Sequence, residues 1–524
     1  MDTDVLIVGA GPTGLMLANQ LGRRGVRTLI IDRHAGPALE TRALGVQART
    51  LEIYAHLGIV QQALALGKRA TGANMWAGGR RTARVPLGDI GRDVSPYPYL
   101  LILGQDDNEK LLGERLRQWN LAVTWNTELV GLTQQPDQMT VKLRQPDGTV
   151  RDVTAAWVAG CDGARSAVRE ANGIAFLGAP YQHVFFVADT EMTGPMVPDE
   201  LNIYLWRDGF HLFFPMRGAD HWRIVGIVPP ALRARDDLAL DDVMPSIREE
   251  AGVGVTLQHC SWFSTYRIHH RRAERFRDRR CFLLGDAAHI HSPVGAQGMN
   301  TGLQDAYNLA WKLALVVSGS AGAALLDSYE AERIPVAQQL LSTTDRGFSL
   351  VVSDTRLAGL LRTRILANAM ALAMRLERIQ RLAFRTISQT GIRYPDSSLS
   401  ETLPGLPQTA PRAGDRFPWV RLKLSPNGPI EDLFDNLDDT RFTLLLFGQP
   451  APAGGVPGLG DLLRTVVVPA DPVNDRELAR ARIPRSAFYL LRPDCYVGLA
   501  GTRLDAAGVT RYLSARLGLR LRSA

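Results

Sequence analysis

The sequence predicts an α/β protein in three parts: a parallel α/β domain, a β-sheet inserted into it, and a small α/β domain at the carboxyl end. The first 32 residues carry strand, turn, helix and strand patterns in that order. Four runs between residues 183 and 228 alternate apolar and polar side chains, as antiparallel strands do. Beyond a segment rich in Pro and Gly, strand and helix patterns alternate again. A chain of 524 residues also exceeds what one hydrophobic core usually serves.

The first strand is the apolar run DVLIV, residues 4–8, and the turn GAGPTG follows it at once. The helical pattern LMLANQLGRRG and the apolar run VRTLIID come next. This strand–turn–helix–strand unit is typical of a Rossmann-like, dinucleotide-binding domain. Because a helix amino terminus offers free N–H groups and partial positive charge, we expect Pro12 and Thr13 to lie beside a pyrophosphate.

The residue types in this unit indicate which dinucleotide binds. Gly9 permits the tight turn, Gly11 lets a pyrophosphate approach the backbone, and Gly14 lets the helix pack closely against the sheet. Asp32 ends the second strand, where it can accept hydrogen bonds from ribose hydroxyls. An acid at this position disfavours a phosphorylated ribose, so the pattern favours FAD or NAD over NADP.

Two later motifs favour FAD over NAD. VAGCDGARSAVRE, residues 158–170, places Asp162 between a strand and a helix, and CFLLGDAAHIHSPVGAQGMNTG, residues 281–302, places Asp286 after another strand. A NAD fingerprint needs neither motif, whereas a dinucleotide with a ribityl chain and a flavin ring needs further partners across the domain. We expect Asp286 to accept hydrogen bonds from the ribityl hydroxyls.

The helix that follows the last motif is expected to face the flavin ring. The backbone of Gly298, Met299 and Asn300 lies at its start, where partial positive charge stabilises negative charge on a reduced flavin. The loop before it contains mostly small residues, which leaves room for an isoalloxazine ring against the backbone.

Composition excludes several other classes of protein. The net charge is +7, but the basic residues are spread along the chain without the aromatic interleaving of a single-strand binder, so we expect no nucleic-acid partner. The four cysteines are too widely spaced for a zinc knuckle or a C-x-x-C pair, and we expect no metal site. No signal peptide or long apolar run is present, so we expect a cytoplasmic protein without membrane contact.

Four segments together resemble the single-component (class A) FAD-dependent aromatic hydroxylases, the family of para-hydroxybenzoate hydroxylase and phenol hydroxylase. The pattern is most similar to the polyketide-tailoring hydroxylases of that family. The segments are GAGPTG, CDGARSAVR, GDAAHIHSPVGAQGMNTGLQDAYNLAWKLA and SYEAERIPVA. The resemblance covers residues 1–395 well and the remainder more loosely.

The resemblance implies a monooxygenase reaction. NADH or NADPH would reduce the bound FAD as a transient co-substrate, and O2 would form a flavin C4a-hydroperoxide that hydroxylates a phenolic or polycyclic aromatic substrate. Baeyer–Villiger chemistry, or another flavin oxygenase or oxidase reaction, is an alternative on the same scaffold. The sequence identifies neither the substrate nor the choice between NADH and NADPH, and it singles out no acid or base.

The resemblance also completes the expected cofactor site. It places Arg42 at the FAD pyrophosphate and Gln105 beside the flavin, at the start of a helix. The full set of residues expected to bind FAD is Gly9, Gly11, Pro12, Thr13, Gly14, Asp32, Arg33, Arg42, Gln105, Asp162, Gly285, Asp286, Pro293, Gly298, Met299 and Asn300.

The resemblance divides the chain into domains. Residues 1–180 and 270–395 form the FAD-binding domain, with the segment 76–99 leaning toward the β-rich substrate domain of residues 181–269. Residues 396–524 resemble a thioredoxin-like domain without C-x-x-C, which indicates a role in packing or in homodimer contacts.

The inserted sheet is expected to roof the substrate cavity. We expect Tyr204, Trp206, Phe213 and Pro215 to line it, although a shift of one residue in register would turn each side chain to the other face. Residues 355–388 predict a basic amphipathic helix packed against a neighbouring domain or subunit rather than against a membrane.

Overall fold

A computed structural model describes residues 1–38, 43–291, 296–352 and 376–520. It has a mixed α/β fold, as predicted, with three larger sheets and helices packed against them. Two of the residues expected to bind FAD, Arg42 and Pro293, lie outside the described residues. Most of the predicted amphipathic helix, residues 355–375, lies outside them as well.

The first sheet is built around three parallel strands at the amino-terminal glycine turn. Thr3–Val8 lies between Thr28–Ile31 and Val150–Gly160, and its successive residues are buried, so both faces of the sheet are covered there. Met139–Arg144 and Glu128–Gln134 extend Val150–Gly160 as an antiparallel meander. The spatial order of the main strands is Arg277–Asp278, Cys281–Leu283, Val150–Gly160, Thr3–Val8, Thr28–Ile31 and Val123–Thr124.

Two helices that begin at the predicted motifs pack directly on each other. Pro12–Gly22 and Gly298–Val317 share an extended contact, and nearly every residue of the second helix is buried. A small sheet of Gly45–Val46, Leu100–Ile102 and Lys68–Ala70 lies beside them. The other helices of this region are Ala48–Leu57, Val60–Leu66, Leu87–Gly91, Gln105–Leu116, Ala167–Ala171, Asp327–Val352 and Glu377–Ile387.

The second sheet has eight strands and is mostly antiparallel. Its one parallel pair joins Leu201–Trp206 to Ala73–Ala77, so residues 73–85 belong to this sheet. The helix Leu240–Pro245 covers one face. The strands in spatial order are His289–Ile290, Thr256–Ala273, Phe176–Thr193, His221–Ile227, Gly209–Pro215, Leu201–Trp206, Ala73–Ala77 and Arg80–Val85.

The third sheet lies in the carboxyl-terminal part of the chain. Its central strand Phe442–Phe447 is buried on both faces, because two separate apolar clusters cover it. The helices Pro472–Ala481 and Ala506–Leu517 and the two-stranded ribbon of Arg421–Lys423 and Ile430–Asp432 surround the sheet. The strands in spatial order are Glu401–Thr402, Val497–Gly501, Ala487–Leu491, Phe442–Phe447 and Leu463–Val468.

A buried charge cluster joins this third sheet to the long helices. The Glu332 carboxylate accepts hydrogen bonds from Lys312 Nζ at 2.8 Å, Asn308 Nδ2 at 2.7 Å, Ser397 Oγ at 2.7 Å and Arg492 Nη1 at 2.5 Å. Burial raises the pKa of Glu332, but Arg492 and Lys312 outweigh it and hold the pKa well below its ordinary value. Burial also lowers the pKa of Lys312 to about 8.

Substitution of Glu332 by Gln tests how much this cluster stabilises the fold. Glu332→Gln leaves the buried Lys312 without its carboxylate and Arg492 with Asp494 alone, so we expect the free energy of unfolding at neutral pH to fall by about 3 to 5 kcal/mol. Chemical denaturation measures the change. Glu401→Gln is the matched control, because its partner Arg516 is 47% exposed and the loss should stay below about 1 kcal/mol.

The pH dependence gives an independent readout of the same residue. Since the folded pKa of Glu332 lies below the ordinary value of 4.5, its contribution is present above about pH 4.5 and is lost as the pH falls toward the folded pKa. The stability gap between wild type and Glu332→Gln should therefore narrow in acid. An unchanged gap at pH 7 and at about pH 3.5 would contradict this account.

Candidate cofactor and substrate site

The glycine turn shows which of its glycines the protein fold itself requires. A Cβ on Gly9, whose φ is +103°, would overlap the carbonyl oxygen of Cys161, and a Cβ on Gly14 would overlap the carbonyl oxygen of Gly9. A Cβ on Gly11 would meet only Glu109 Oε1, at 4.0 Å. The fold therefore tolerates a side chain at Gly11, so packing within the protein does not account for the glycine there.

Thr13 connects the first motif to the third. A methyl group on Gly285 would lie 2.6 Å from Thr13 Oγ1, and one on Gly302 would overlap the same oxygen. The start of helix Pro12–Gly22 thus fits against the backbone of the third motif only because both facing residues are glycines. This contact brings two segments almost 300 residues apart in sequence to the same place.

The Asp32 carboxylate holds the glycine turn from the neighbouring strand. Its Oδ2 accepts a hydrogen bond from the Ala10 N–H at 2.7 Å, and its Oδ1 accepts one from the His34 N–H at 2.9 Å. A carboxylate has further lone pairs, so these bonds leave acceptor capacity for a ribose hydroxyl. Arg33 is exposed beside it.

Glu109 is a further acid at the glycine turn. Its Oε1 accepts from Gln105 Nε2 at 2.8 Å, and its Oε2 accepts from the Ala38 N–H at 2.9 Å. Burial raises the pKa of Glu109. Gln105 therefore lies at the start of its helix as predicted, but its amide is directed toward Glu109. The sequence reasoning did not select Glu109, and its position one helical turn after Gln105 was the available signal.

Asp162 presents an oxygen that is buried and has no hydrogen-bond partner within the described residues. Its Oδ2 accepts from the Val168 N–H at 3.2 Å, which caps the start of Ala167–Ala171, while Oδ1 lacks a partner. Burial raises the pKa of this carboxylate. A buried acceptor without a donor is costly unless a ligand supplies one, so this carboxylate fits a hydroxyl-bearing cofactor.

Asp286 is exposed although its neighbours are buried. It lies on the short turn Gly285–Ala287, where Gly285 has a φ of +56°. The turn thus directs a carboxylate outward at the end of strand Cys281–Leu283. Such a carboxylate can accept hydrogen bonds from the hydroxyls of a polyol chain.

Asp305 holds this turn in position from helix Gly298–Val317. Its Oδ2 accepts from the Gly285 N–H at 3.0 Å and from His289 Nε2 at 2.8 Å, and its Oδ1 accepts from Arg333 Nε at 2.6 Å. Burial raises the pKa of Asp305, but Arg333 and His289 outweigh it and lower the pKa below its ordinary value. The sequence analysis did not select Asp305; the available signal was that it is the only acid in this helix.

The start of helix Gly298–Val317 has its first residues fixed by side-chain bonds. Asn300 Nδ2 donates to the Gly45 carbonyl at 2.7 Å, and Asn300 Oδ1 accepts from the Gln47 N–H at 2.8 Å. Met299 Sδ lies 3.2 Å from Asn108 Nδ2. The Asn300 side chain therefore fixes the start of the helix against the small sheet.

The second sheet corrects the expected substrate wall. Tyr204, Trp206 and Phe213 pack into the apolar cluster under helix Leu240–Pro245, and Pro215 shares their face by alternation along its strand. The register pairs Tyr204 with His211 and Asn202 with Phe213, so all of these side chains turn away from the cofactor motifs. The prediction was one residue out of phase, because both faces of this sheet are apolar.

The opposite face of the sheet is the one directed toward the cofactor motifs. Phe214 packs with Leu44, Leu100 and Ile102, which belong to the loop and small sheet beside the glycine turn. Val225 adjoins this cluster. The residues that alternate with the predicted ones, such as Phe214, therefore form the boundary between the second sheet and the small sheet beside the glycine turn.

This fold and site define a flavin-dependent oxidoreductase. Three motifs from separate parts of the chain meet where two helices begin, and their glycines, carboxylates and free backbone suit an extended dinucleotide. Among the described residues no three His, Cys, Asp or Glu side chains come together as metal ligands. No helix in the described ranges is long and apolar enough to cross a membrane.

Comparisons with known proteins identify the family. The model of the FAD binding domain family matches residues 2–344. The 6-methylpretetramide 4-monooxygenase of Streptomyces rimosus is 34% identical over 98% of this chain and 93% of its own length, and the pentachlorophenol 4-monooxygenase of Sphingobium chlorophenolicum is 32% identical over 94% and 86%. The solved structure of the anhydrotetracycline hydroxylase OxyS from Streptomyces rimosus matches with a TM-score of 0.79 and 30% identity over 99% of both chains. The chain belongs to the FAD-dependent aromatic monooxygenase family, and FAD is its cofactor, as predicted.

Alanine at Gly11 tests the cofactor role of the glycine turn. Because a methyl group there meets no protein atom closer than 4.0 Å, Gly11→Ala should fold normally and weaken FAD binding by about tenfold or more. Visible absorbance of the flavin gives the occupancy, and circular dichroism reports the fold.

Two other alanine variants serve as controls for Gly11→Ala. Gly14→Ala should fail to fold because its Cβ would overlap backbone, whereas Gly113→Ala adds a methyl group with nothing within 4 Å and should retain both fold and FAD. If Gly11→Ala binds FAD as tightly as the wild type, the pyrophosphate does not lie against this turn.

Proposed function

We propose that the protein uses NADH or NADPH and O2 to hydroxylate a phenolic or polycyclic aromatic substrate. One observation carries the proposal: Thr13, Gly285 and Gly302 bring the motifs of an FAD site together beside an apolar face of the inserted sheet. Relatives that act on a chlorinated phenol and on polycyclic compounds support the substrate class.

The residues proposed to hold FAD are those expected from the sequence, with two additions. Glu109 and Asp305 join the set because they fix Gln105 and the Gly285 turn by side-chain bonds. The described members of the set are Gly9, Gly11, Pro12, Thr13, Gly14, Asp32, Arg33, Gln105, Glu109, Asp162, Gly285, Asp286, Gly298, Met299, Asn300 and Asp305.

When bound, FAD supplies hydride acceptance and the activation of dioxygen. The protein's part is to position, to exclude water and to stabilise charge. The amino terminus of helix Gly298–Val317 would face the flavin pyrimidine and stabilise negative charge there, since its free N–H groups carry partial positive charge. Asp286 would accept hydrogen bonds from the ribityl hydroxyls. Burial behind the apolar face around Phe214 would keep water from the reacting atoms.

The strand register of the second sheet changes which residues we propose for the substrate wall. Side chains on the face of Phe214 and Val225 replace Tyr204, Trp206 and Phe213 as the residues nearest the substrate. Their apolar character suits the faces of an aromatic ring system. The similarity of the chain to proteins that act on substrates of different sizes leaves both a simple phenol and a polycycle within the proposal.

The finer architecture is part of the proposal. We propose that residues 1–180 and 270–395 act as the Rossmann-like FAD-binding domain, that residues 181–269 form the substrate domain, and that residues 396–524 form a thioredoxin-like domain. The sheet of residues 401–501 supports the last assignment. A homodimer and a cytoplasmic location stay predictions from the sequence.

Substrate-dependent oxygen transfer tests the proposed function. The purified protein should show flavin absorbance, and oxidation of NADH or NADPH should accelerate when a phenol from a panel of simple and fused-ring compounds is added. Mass spectrometry should find one oxygen atom from isotopically heavy dioxygen in the product. The same assay run without aromatic compound measures uncoupled oxidation and serves as the control.

Two outcomes would count against the proposal. Oxygen inserted only into ketones would point to Baeyer–Villiger chemistry on the same cofactor. Flavin reduction by NADH or NADPH without oxygenation of any compound would point to an oxidase or to another flavin reaction.

A further inference from the structure

A cavity with charged side chains in its wall lies beside the proposed flavin site. The cavity has a volume of about 440 Å³ and lies between the first turn of helix Gln105–Leu116 and the second sheet. Its apolar wall includes Ile102, Met216 and Trp262. The sheet residues that reach it lie on the same face as Phe214, which is the face directed toward the cofactor motifs.

An ion pair between Asp189 and Arg223 is the polar centre of this cavity. Arg223 Nε and Nη2 both donate to the Asp189 carboxylate, and the guanidinium lies 5.3 Å from the ring centroid of Trp262. The Arg223 side chain is 2% exposed and the Asp189 side chain 25%. The cation is therefore enclosed while one edge of the carboxylate faces the cavity.

Stability alone does not account for such a pair in this position. Taking two charges out of water costs about as much as their attraction returns, and apolar residues of the same size often stabilise a fold equally well. On this face the pair lies between the apolar Val187 and Val225 on one side and the exposed pair of Glu191 and His221 on the other. Unlike that exposed pair, Asp189 and Arg223 are largely buried at the wall of a cavity, a position better explained by recognition of a polar group on a ligand.

The charges around the cavity select the chemistry of that group. Asp106 and Asp107 border the cavity with Asp189, while the basic side chains there are Arg217 and Arg223. Arg223 binds Asp189, and Lys110 Nζ lies 3.8 Å from Asp106 and 3.6 Å from Asp107, so the charges of these described residues are paired. The outward edge of the Asp189 carboxylate is therefore what disfavours an anion. The outward edge of the Asp189 carboxylate can only accept hydrogen bonds, so it favours a ligand group that donates one. Because Arg223 already neutralises the charge of this carboxylate, a positively charged donor gains nothing over a neutral one.

We propose that this cavity is the distal end of the substrate site and that Asp189 accepts a hydrogen bond from a neutral donor on an aromatic substrate. The donor is a phenol hydroxyl or a carboxamide N–H2, two groups that share this chemistry. Arg223 is a positioning residue that orients the carboxylate. The inference rests on the proposed function, because it takes the ligand of this cavity to be the aromatic substrate.

Four naphthalene probes that share one ring system and differ in a single polar substituent test the inference. The substituents are a carboxamide, a hydroxyl, a methyl ketone and a carboxylate. Calorimetric titration of the FAD-loaded protein gives each dissociation constant without depending on turnover. The wild type should bind the two donor probes about tenfold or more tightly than the ketone, and the carboxylate most weakly, because a hydrogen bond to a charged acceptor is lost in both.

Three variants assign the preference to the ion pair. In Asp189→Asn the new amide can donate to the ketone, so the preference should shift toward the ketone probe. The double variant Asp189→Leu with Arg223→Met leaves no unpaired charge, should fold and hold FAD, and should bind the amide and ketone probes with equal affinity. Glu191→Gln is the matched control, since Glu191 lies two residues away in an exposed pair with His221 and should keep the wild-type preference.

The outcomes separate this inference from the proposed function. A donor preference that persists in the double variant, no preference in the wild type, or no binding of any probe would overturn the role of Asp189. Failure of the proposed function would appear instead as the absence of oxygenated product from every phenol. A preference for the hydroxyl probe over the carboxamide probe, or the reverse, identifies which donor the substrate carries.

Discussion

One buried carboxylate fixes the geometry on which the candidate site depends. Asp305 joins the Gly285 N–H, His289 and Arg333, which belong to a strand end, a short strand and a long helix. Apolar packing alone would let these elements slide by fractions of an ångström, because it is not directional. Charge-assisted hydrogen bonds have narrow geometry, so they hold the Gly285 turn against Thr13 and aim Asp286 outward. The positions of the first and third motifs relative to each other depend on this arrangement.

The carboxyl-terminal part of the chain is attached by the same physical means. Arg416 donates to Glu52, and Arg492 binds Glu332, each inside a boundary between parts of the chain that are far apart in sequence. Burial raises the pKa of Glu52, but Arg416 and Arg49 outweigh it and lower the pKa. A buried charge without its partner is costly, so each pair favours the arrangement in which both partners are in place. These parts of the chain are therefore held in one relative orientation.

The sequence allowed the local part of this arrangement to be predicted. Gly9, Gly14 and Asp32 lie within one strand–turn–helix–strand unit, and the pattern of that unit marks them although Gly9 also packs against the distant Cys161. Glu109 and Asp305 were missed because their roles depend on partners that only the folded chain brings near. Tyr204 and Trp206 were assigned to the wrong face for a different reason. When helices cover one face of a sheet and a second domain covers the other, apolar residues occupy both, and alternation no longer marks which side faces the ligand.

Charged residues that interrupt the apolar pattern distinguish the two faces of such a sheet. On a sheet buried on both faces, a charged side chain is costly wherever it lies, so its position carries more information than that of any aromatic residue. Asp189 and Arg223 are partners across adjacent strands, and the register alone puts them on the face of Phe214. Once the strand pairing is known, these polar exceptions mark the face that we propose meets the substrate. Tyr204, Trp206 and Phe213, which the sequence analysis placed in the substrate wall, form the apolar core behind that face.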